Sequence, residues 1–168
     1  MLAISILVVG ILSRLVIHVP NFTPVIALAL FSGAYLKRGQ AFVVPLLMFV
    51  ISDIIIGFHS TFIFTWASAI LIILIGKGLQ QRVGVKNVVM ASLLSSVVFF
   101  IVTNLGVWLV GGLYPLTLGG LTECFVLAVP FFHWELISAL IYSVLFFGLY
   151  EWLAVRLRPT KFAYLLQK

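Results

Sequence analysis

Few residues of this chain have side chains suited to chemistry, and most of them stand singly in apolar sequence. Arg14 and His18 close the first apolar run, and Asp53 and His59 close the third. A guanidinium there binds an anion through its planar fork or pairs with a carboxylate, either Asp53 or Glu135. A charge at bilayer depth costs about 2.5–3.5 kcal/mol on insertion scales, so each needs a partner or a cavity. The bland alternatives are snorkelling of Arg14 to the outer interface and, for Asp53, a structural pair with Arg14 or a hydrogen bond with Asn104. Glu135, Ser138 and Tyr142 recur at i, i+3 and i+7, which puts them on one helical face.

Other chemistries find less support. Three histidines with Cys124 and Glu123 have ligand types that suit transition metals, but no two stand at a ligand-like spacing such as His-x-x-x-His, so no metal site is expected. The single cysteine cannot make an intrachain disulfide. There is no phosphate-cradling glycine motif, no Gly-x-Ser-x-Gly elbow, no HExxH and no Cys-x-x-Cys. The chain is therefore expected to be neither an enzyme nor a cofactor protein.

The elements that must position these residues follow from composition. Of 168 residues 64% are hydrophobic and 8% charged, and the mean hydropathy of +1.30 lies outside the range of soluble domains. The expected fold is an all-α integral membrane protein in one domain, 1–168. A bilayer core needs roughly 20 helical residues, and six apolar runs approach that length, at about residues 2–18, 24–36, 41–58, 62–79, 88–110 and 131–155. The second run is short and needs either shielding by its neighbours or extension through residues 20–24. Pro45 is expected as a tolerated kink, and residues 111–130, punctuated by Gly and Pro, as a connecting segment. Residues 2–12 lack a preceding basic residue and a following cleavage site, so they are expected to be retained rather than removed as a signal peptide.

Ten Lys and Arg against four Asp and Glu would raise nucleic acid as a partner in a soluble chain. Here the basic residues fall in short turns: Lys37 and Arg38, then Lys77, Arg82 and Lys86, then Arg156, Arg158, Lys161 and Lys168 in the tail. The intervening loops have none, so both termini are expected in the cytoplasm and nucleic acid is set aside. With that orientation His18, Asn21, Asp53, His59, Asn104, Trp108, Tyr114, Glu123, Cys124, His133, Trp134 and Glu135 all fall toward the outside, which fits a cavity opening outward. Trp and Tyr belong at interfaces in any case.

The run PNFTPVIALALFSGAYL, the basic turn KRG and VVPLLMFVISDIIIGF together resemble the substrate-binding S components of energy-coupling factor transporters. Arg14, PNFTP, SDIIIGFH, VTNLGVW, YPLT and the Pro-Phe-Phe before the sixth run are similar, more closely, to a bacterial membrane family described only as transport proteins. The resemblance implies six helices, cytoplasmic termini and a pocket that captures a vitamin or its precursor from outside. It also implies a separate transmembrane coupling protein with two ATPases. The Ala-x-x-x-Ala docking signature on the first helix is missing, the nearest small-residue pairs being Ala29 with Gly33 and Ser92 with Ser96.

The expected function is thus a substrate-capture subunit of a micronutrient transporter in the inner membrane, with lipid around it. Arg14, Asn21, Asp53, His59, Asn104 and Glu135 would line the pocket, and Trp66, Trp108 and Trp134 would supply stacking surface. The alternative is an envelope scaffold in which the polar groups only knit helices together. A binder should show an outer concavity with convergent polar groups, and a scaffold an Arg14–Asp53 pair with no cavity beside it.

Overall fold

The computed structural model describes residues 2–16, 21–37 and 39–157, and among these it holds six α-helices and no strand. They are α1 (Leu2–Val16), α2 (Val25–Tyr35), α3 (Gln40–Ile56), α4 (Phe62–Gly78), α5 (Val85–Val110) and α6 (Leu118–Leu157). His18, Arg38, Arg158, Lys161 and Lys168 lie outside the described residues. Two helices, α5 and α6, are long and apolar enough to cross a membrane, and α1 to α4 are shorter apolar helices.

The architecture is built around the shortest helix. Every residue of α2 from Val25 to Tyr35 is buried, and α2 touches each of the other five helices. At 11 residues it is about 16 Å long, so the shielding expected from its length is what the packing supplies. Its closest neighbour is α4. A Cβ on Gly33 would run into the Ile73 carbonyl, and one on Gly76 would run into the Leu30 carbonyl. Two glycines facing across the crossing let the backbones meet directly, which is the use of small residues at apolar helix interfaces. Gln80, just past α4, donates to the Gly33 carbonyl at 3.0 Å and pins the same crossing.

Helix ends agree with the apolar runs for α1 to α5 within a few residues, but α6 differs. It starts at Leu118 and runs 40 residues through Pro130, where the sequence pattern had put a connecting segment up to residue 130. Two local features account for the early start. The Thr117 hydroxyl accepts from the Gly120 N–H at 3.2 Å, the geometry of a helix N-cap, and Gly120 lets the first turn pack on the Pro115 carbonyl. Pro130 removes one donor, but an apolar helix packed among others tolerates that loss.

Interior and exterior are sorted unusually. Ser32, Ser52, Ser68, Ser92, Ser95, Ser96, Ser138 and Ser143 are all buried, while Ile54, Ile55, Ile56, Ile63, Leu74, Ile101, Val129 and Ile141 are exposed. Several of these serines are satisfied locally: Ser92 donates to the Val88 carbonyl at 2.8 Å and Ser68 to the Thr65 carbonyl at 2.7 Å.

The α2–α4 crossing yields a direct test. Gly76→Val should overpack it and destabilise the fold by about 1–3 kcal/mol, read as a lowered unfolding temperature in detergent. Gly78→Val, one turn-end further on in open space, should cost much less. Equal effects of the two would refute close backbone approach at Gly76.

Candidate functional site

Arg14 and Asp53 meet where the C-terminal ends of α1 and α3 approach the start of α4. Arg14, in the last turn of α1, places Nη2 2.7 Å from Asp53 Oδ1 and donates through Nη1 to Ser52 Oγ at 2.7 Å. Its guanidinium also stands over the Phe49 ring, 4.7 Å from the centroid. Phe49, Ser52 and Asp53 follow one another at i, i+3 and i+4, so one face of α3 presents all three to Arg14. The other carboxylate oxygen of Asp53 accepts from Trp66 Nε1 of α4 at 2.9 Å. Asp53 is 1% exposed, and the two donors that reach its carboxylate, Arg14 and Trp66, stabilise it where water does not reach.

Two cavities lie beside this group. The smaller, about 160 Å³, is lined by residues that include Arg14, Phe49, Thr65, Phe99 and Glu135. The larger, about 320 Å³, is lined by residues that include Thr103, Asn104, Phe100, Phe131 and Glu135. Asn21, Thr65, Phe99 and Glu135 belong to both walls, so the two spaces adjoin across a shared rim. Glu135 is 4% exposed, and its Oε1 is buried with no hydrogen-bond partner among the described residues. One turn along α6 the Ser138 hydroxyl lies 3.3 Å from both the Asn21 and Thr23 carbonyls and 2.9 Å from the Glu135 carbonyl. That brackets the segment before α2 against α6. Asn21 has a left-handed backbone, φ 59°, a conformation that asparagine tolerates better than most side chains.

Of the nine residues expected in the pocket, Arg14, Asn21, Asn104 and Glu135 line the cavities. The other five stand outside both linings, for identifiable reasons. Asp53 and Trp66 are turned toward Arg14 and support it from behind. His59 is exposed and reaches only Thr65 Oγ1, at 3.4 Å. Trp108 donates to the Pro115 carbonyl at 3.0 Å and braces the segment ahead of α6. Trp134 is 45% exposed, edge-on to Phe22 at 6.3 Å and beside His133 at 4.8 Å. The aromatic walls are phenylalanines instead, Phe49, Phe99, Phe100 and Phe131. Thr65 and Phe99 went unremarked in the sequence because neither carries charge. Their signal is positional, since Thr65 precedes Trp66 and Phe99 stands one turn before Thr103.

Asn104 and Thr103 are committed within their own helix, Asn104 Nδ2 to the Phe100 carbonyl at 2.7 Å and Thr103 Oγ1 to the Phe99 carbonyl at 2.8 Å. Among the described residues, no three His, Cys, Asp or Glu side chains gather as a metal site would require. A paired cation, a carboxyl without a partner and aromatic walls thus border two adjoining concavities, the kind of surrounding in which small-molecule sites occur.

The chain belongs to DUF6580, a family of unknown function, whose model matches residues 1–161. No curated protein and no solved structure matches it.

A buried pair and its single-partner variants are expected to differ sharply. Arg14→Ala leaves Asp53 charged and enclosed, a loss of about 3–5 kcal/mol. Arg14→Ala combined with Asp53→Ala should recover most of it, because the pair itself contributes little net stability. Thermal unfolding of the two single variants and the double variant measures this coupling, and additive losses would rule it out.

Proposed function

We propose that this DUF6580 protein is the substrate-capture subunit of a micronutrient transporter of the bacterial inner membrane. In this proposal six helices cross the bilayer, both termini are cytoplasmic, and a vitamin or vitamin precursor enters from the outer side. The protein performs no catalysis itself, and a transmembrane coupling protein with two ATPases supplies the driving force.

The observation that carries the proposal is the pair of adjoining cavities that share Asn21 and Glu135, the smaller walled also by Arg14 and the larger by Asn104. Polar groups converging on an apolar concavity are the ordinary form of a small-molecule site, and the larger space lies at the lower end of the usual range of about 300–1,000 Å³. Aliphatic side chains along the outside of α3, α4, α5 and α6 would be an aggregation surface in water and are a natural lipid contact. The cavities take Val25 and Ile26 from the start of α2, whereas Lys37 follows its end and Lys77, Arg82 and Lys86 lie at or after the end of α4. The basic turns and the cavities thus belong to opposite ends of the same helices, which under the positive-inside rule turns the cavities outward. A helix as short as α2 fits the abbreviated elements found near transporter sites.

One observation favours the scaffold alternative. Arg14 and Asp53 are buried against each other, as expected if the polar groups only join helices. The adjoining cavities, with an unsatisfied carboxylate, weigh for capture.

Topology is tested by single cysteines introduced into a Cys124→Ser background. Positions 39 and 82 should be protected from impermeant thiol reagents added outside intact cells, and positions 59 and 115 should react. External labelling at 82 would end the six-crossing arrangement.

Capture is tested by unfolding the purified protein with a panel of water-soluble vitamins and precursors. A true ligand at 100 times its Kd should stabilise by about 2.7 kcal/mol and by RT ln(1 + [L]/Kd) at other concentrations. Phe99→Trp, which fills the shared wall, should abolish the shift. A panel without effect at millimolar concentration would remove the support for this function.

A further inference from the structure

Charge balance in the cavities restricts what they can hold. Among the described residues, the smaller cavity has two ionisable residues on its wall, Arg14 and Glu135, and the larger has Glu135 alone. Helices α2, α4 and α5 contribute none. Arg14 is already neutralised by Asp53 at 2.7 Å and holds Ser52 as well. Among the described residues Glu135 has no such partner: it is 4% exposed, and Oε1 has neither a hydrogen bond nor an ion pair. On α5 the Thr103 hydroxyl and one N–H of Asn104 Nδ2 are taken by carbonyls of their own helix. Among the described residues, the one ionisable group on these walls without a counter-charge is therefore the Glu135 carboxyl.

Resting on the capture reading above, we propose that the ligand presents a protonated nitrogen and that Glu135 receives it. An enclosed carboxylate without a donor is costly, and an ammonium or amidinium N–H directed at Oε1 supplies the missing bond with charge assistance. The rings of Phe99, Phe100 and Phe131 on the walls present π faces that attract a cation further. An anionic ligand gains little here, since Arg14 has its counter-charge in place and Glu135 repels the newcomer. This inverts the expectation that Arg14 holds an anionic group. Arg14 shapes the wall, and the specificity sits on α6.

The test uses three probes of one shape, benzylamine, benzyl alcohol and benzoate, titrated by ligand-observed NMR against the full chain in zwitterionic nanodiscs. Empty discs are subtracted. The unaltered protein should bind benzylamine at least tenfold more tightly than either other probe. Glu135→Gln, equal in size, should remove that preference, benzylamine falling at least tenfold to the level of benzyl alcohol. The order of the three probes on the unaltered protein decides the matter even if the variant fails to fold. Tightest binding of benzoate, or equal binding of all three, overturns the ligand class and leaves capture standing. Binding of none of them overturns capture, and the ligand class with it.

Discussion

A carboxylate enclosed in apolar surroundings has to be satisfied from several directions at once, and Asp53 imposes that requirement on half of the bundle. One oxygen faces Arg14 of α1 and the other faces Trp66 of α4. Asp53 itself lies in the last turn of α3, whose C-cap is Gly57 at φ 105°, with its N–H on the Asp53 carbonyl at 2.9 Å. Three helices and one turn are thereby referenced to a single residue. The net stability of such a pair is small against an apolar substitute, so its worth lies in fixing which ends meet. Because those ends are where the cavities open, the geometry of the candidate site depends on a group that does not itself line it.

The buried helix α2 transmits that order to the rest. Its N-terminal residues Val25 and Ile26 wall the smaller cavity, and its C-terminal Tyr35 donates to Glu151 of α6 at 2.5 Å. Between them run Phe31 and Tyr35, packed with Phe147 and Tyr150 of α6 at ring separations of 4.1–5.5 Å. The side of the bundle formed by α2 and α6 is thus closed by aromatic packing at one end and opens toward Glu135 at the other. The glycine crossing of α2 with α4 holds α2 at a depth no larger residue would permit.

Much of this is written in local sequence, and the remainder shows why some is not. Apolar runs bounded by turns locate α1 to α5 well, because a helix needs little beyond periodicity and an end. The start of α6 was missed, since Thr117 as a cap and Gly120 as a contact point look like loop residues until the Pro115 carbonyl is seen against them. Among site residues, Arg14, Asn21, Asn104 and Glu135 were legible as polar groups that apolar sequence must house. The tryptophans were not: Trp66 is held by Asp53 of another helix, Trp108 by the Pro115 carbonyl in the segment ahead of α6, and Trp134 is exposed. Which of two carboxylates would pair with Arg14 is likewise a matter of three dimensions.

The hydroxyl and amide groups of α5 have a mechanical consequence. Ser92, Thr103 and Asn104 bond to carbonyls of their own helix, so these side chains do not fasten α5 to its neighbours. What holds α5 to its neighbours is packing instead, with Gly106 against Phe64 of α4, Phe100 against Phe125 and Phe132 of α6, and the Cys124 thiol on the Asn104 carbonyl at 3.5 Å. Parting α1 from α3, by contrast, strips a carboxylate of its counter-ion. The bundle is accordingly joined by charge on the Asp53 side and by close contact on the α5 side, and the larger cavity lies against the second of these walls.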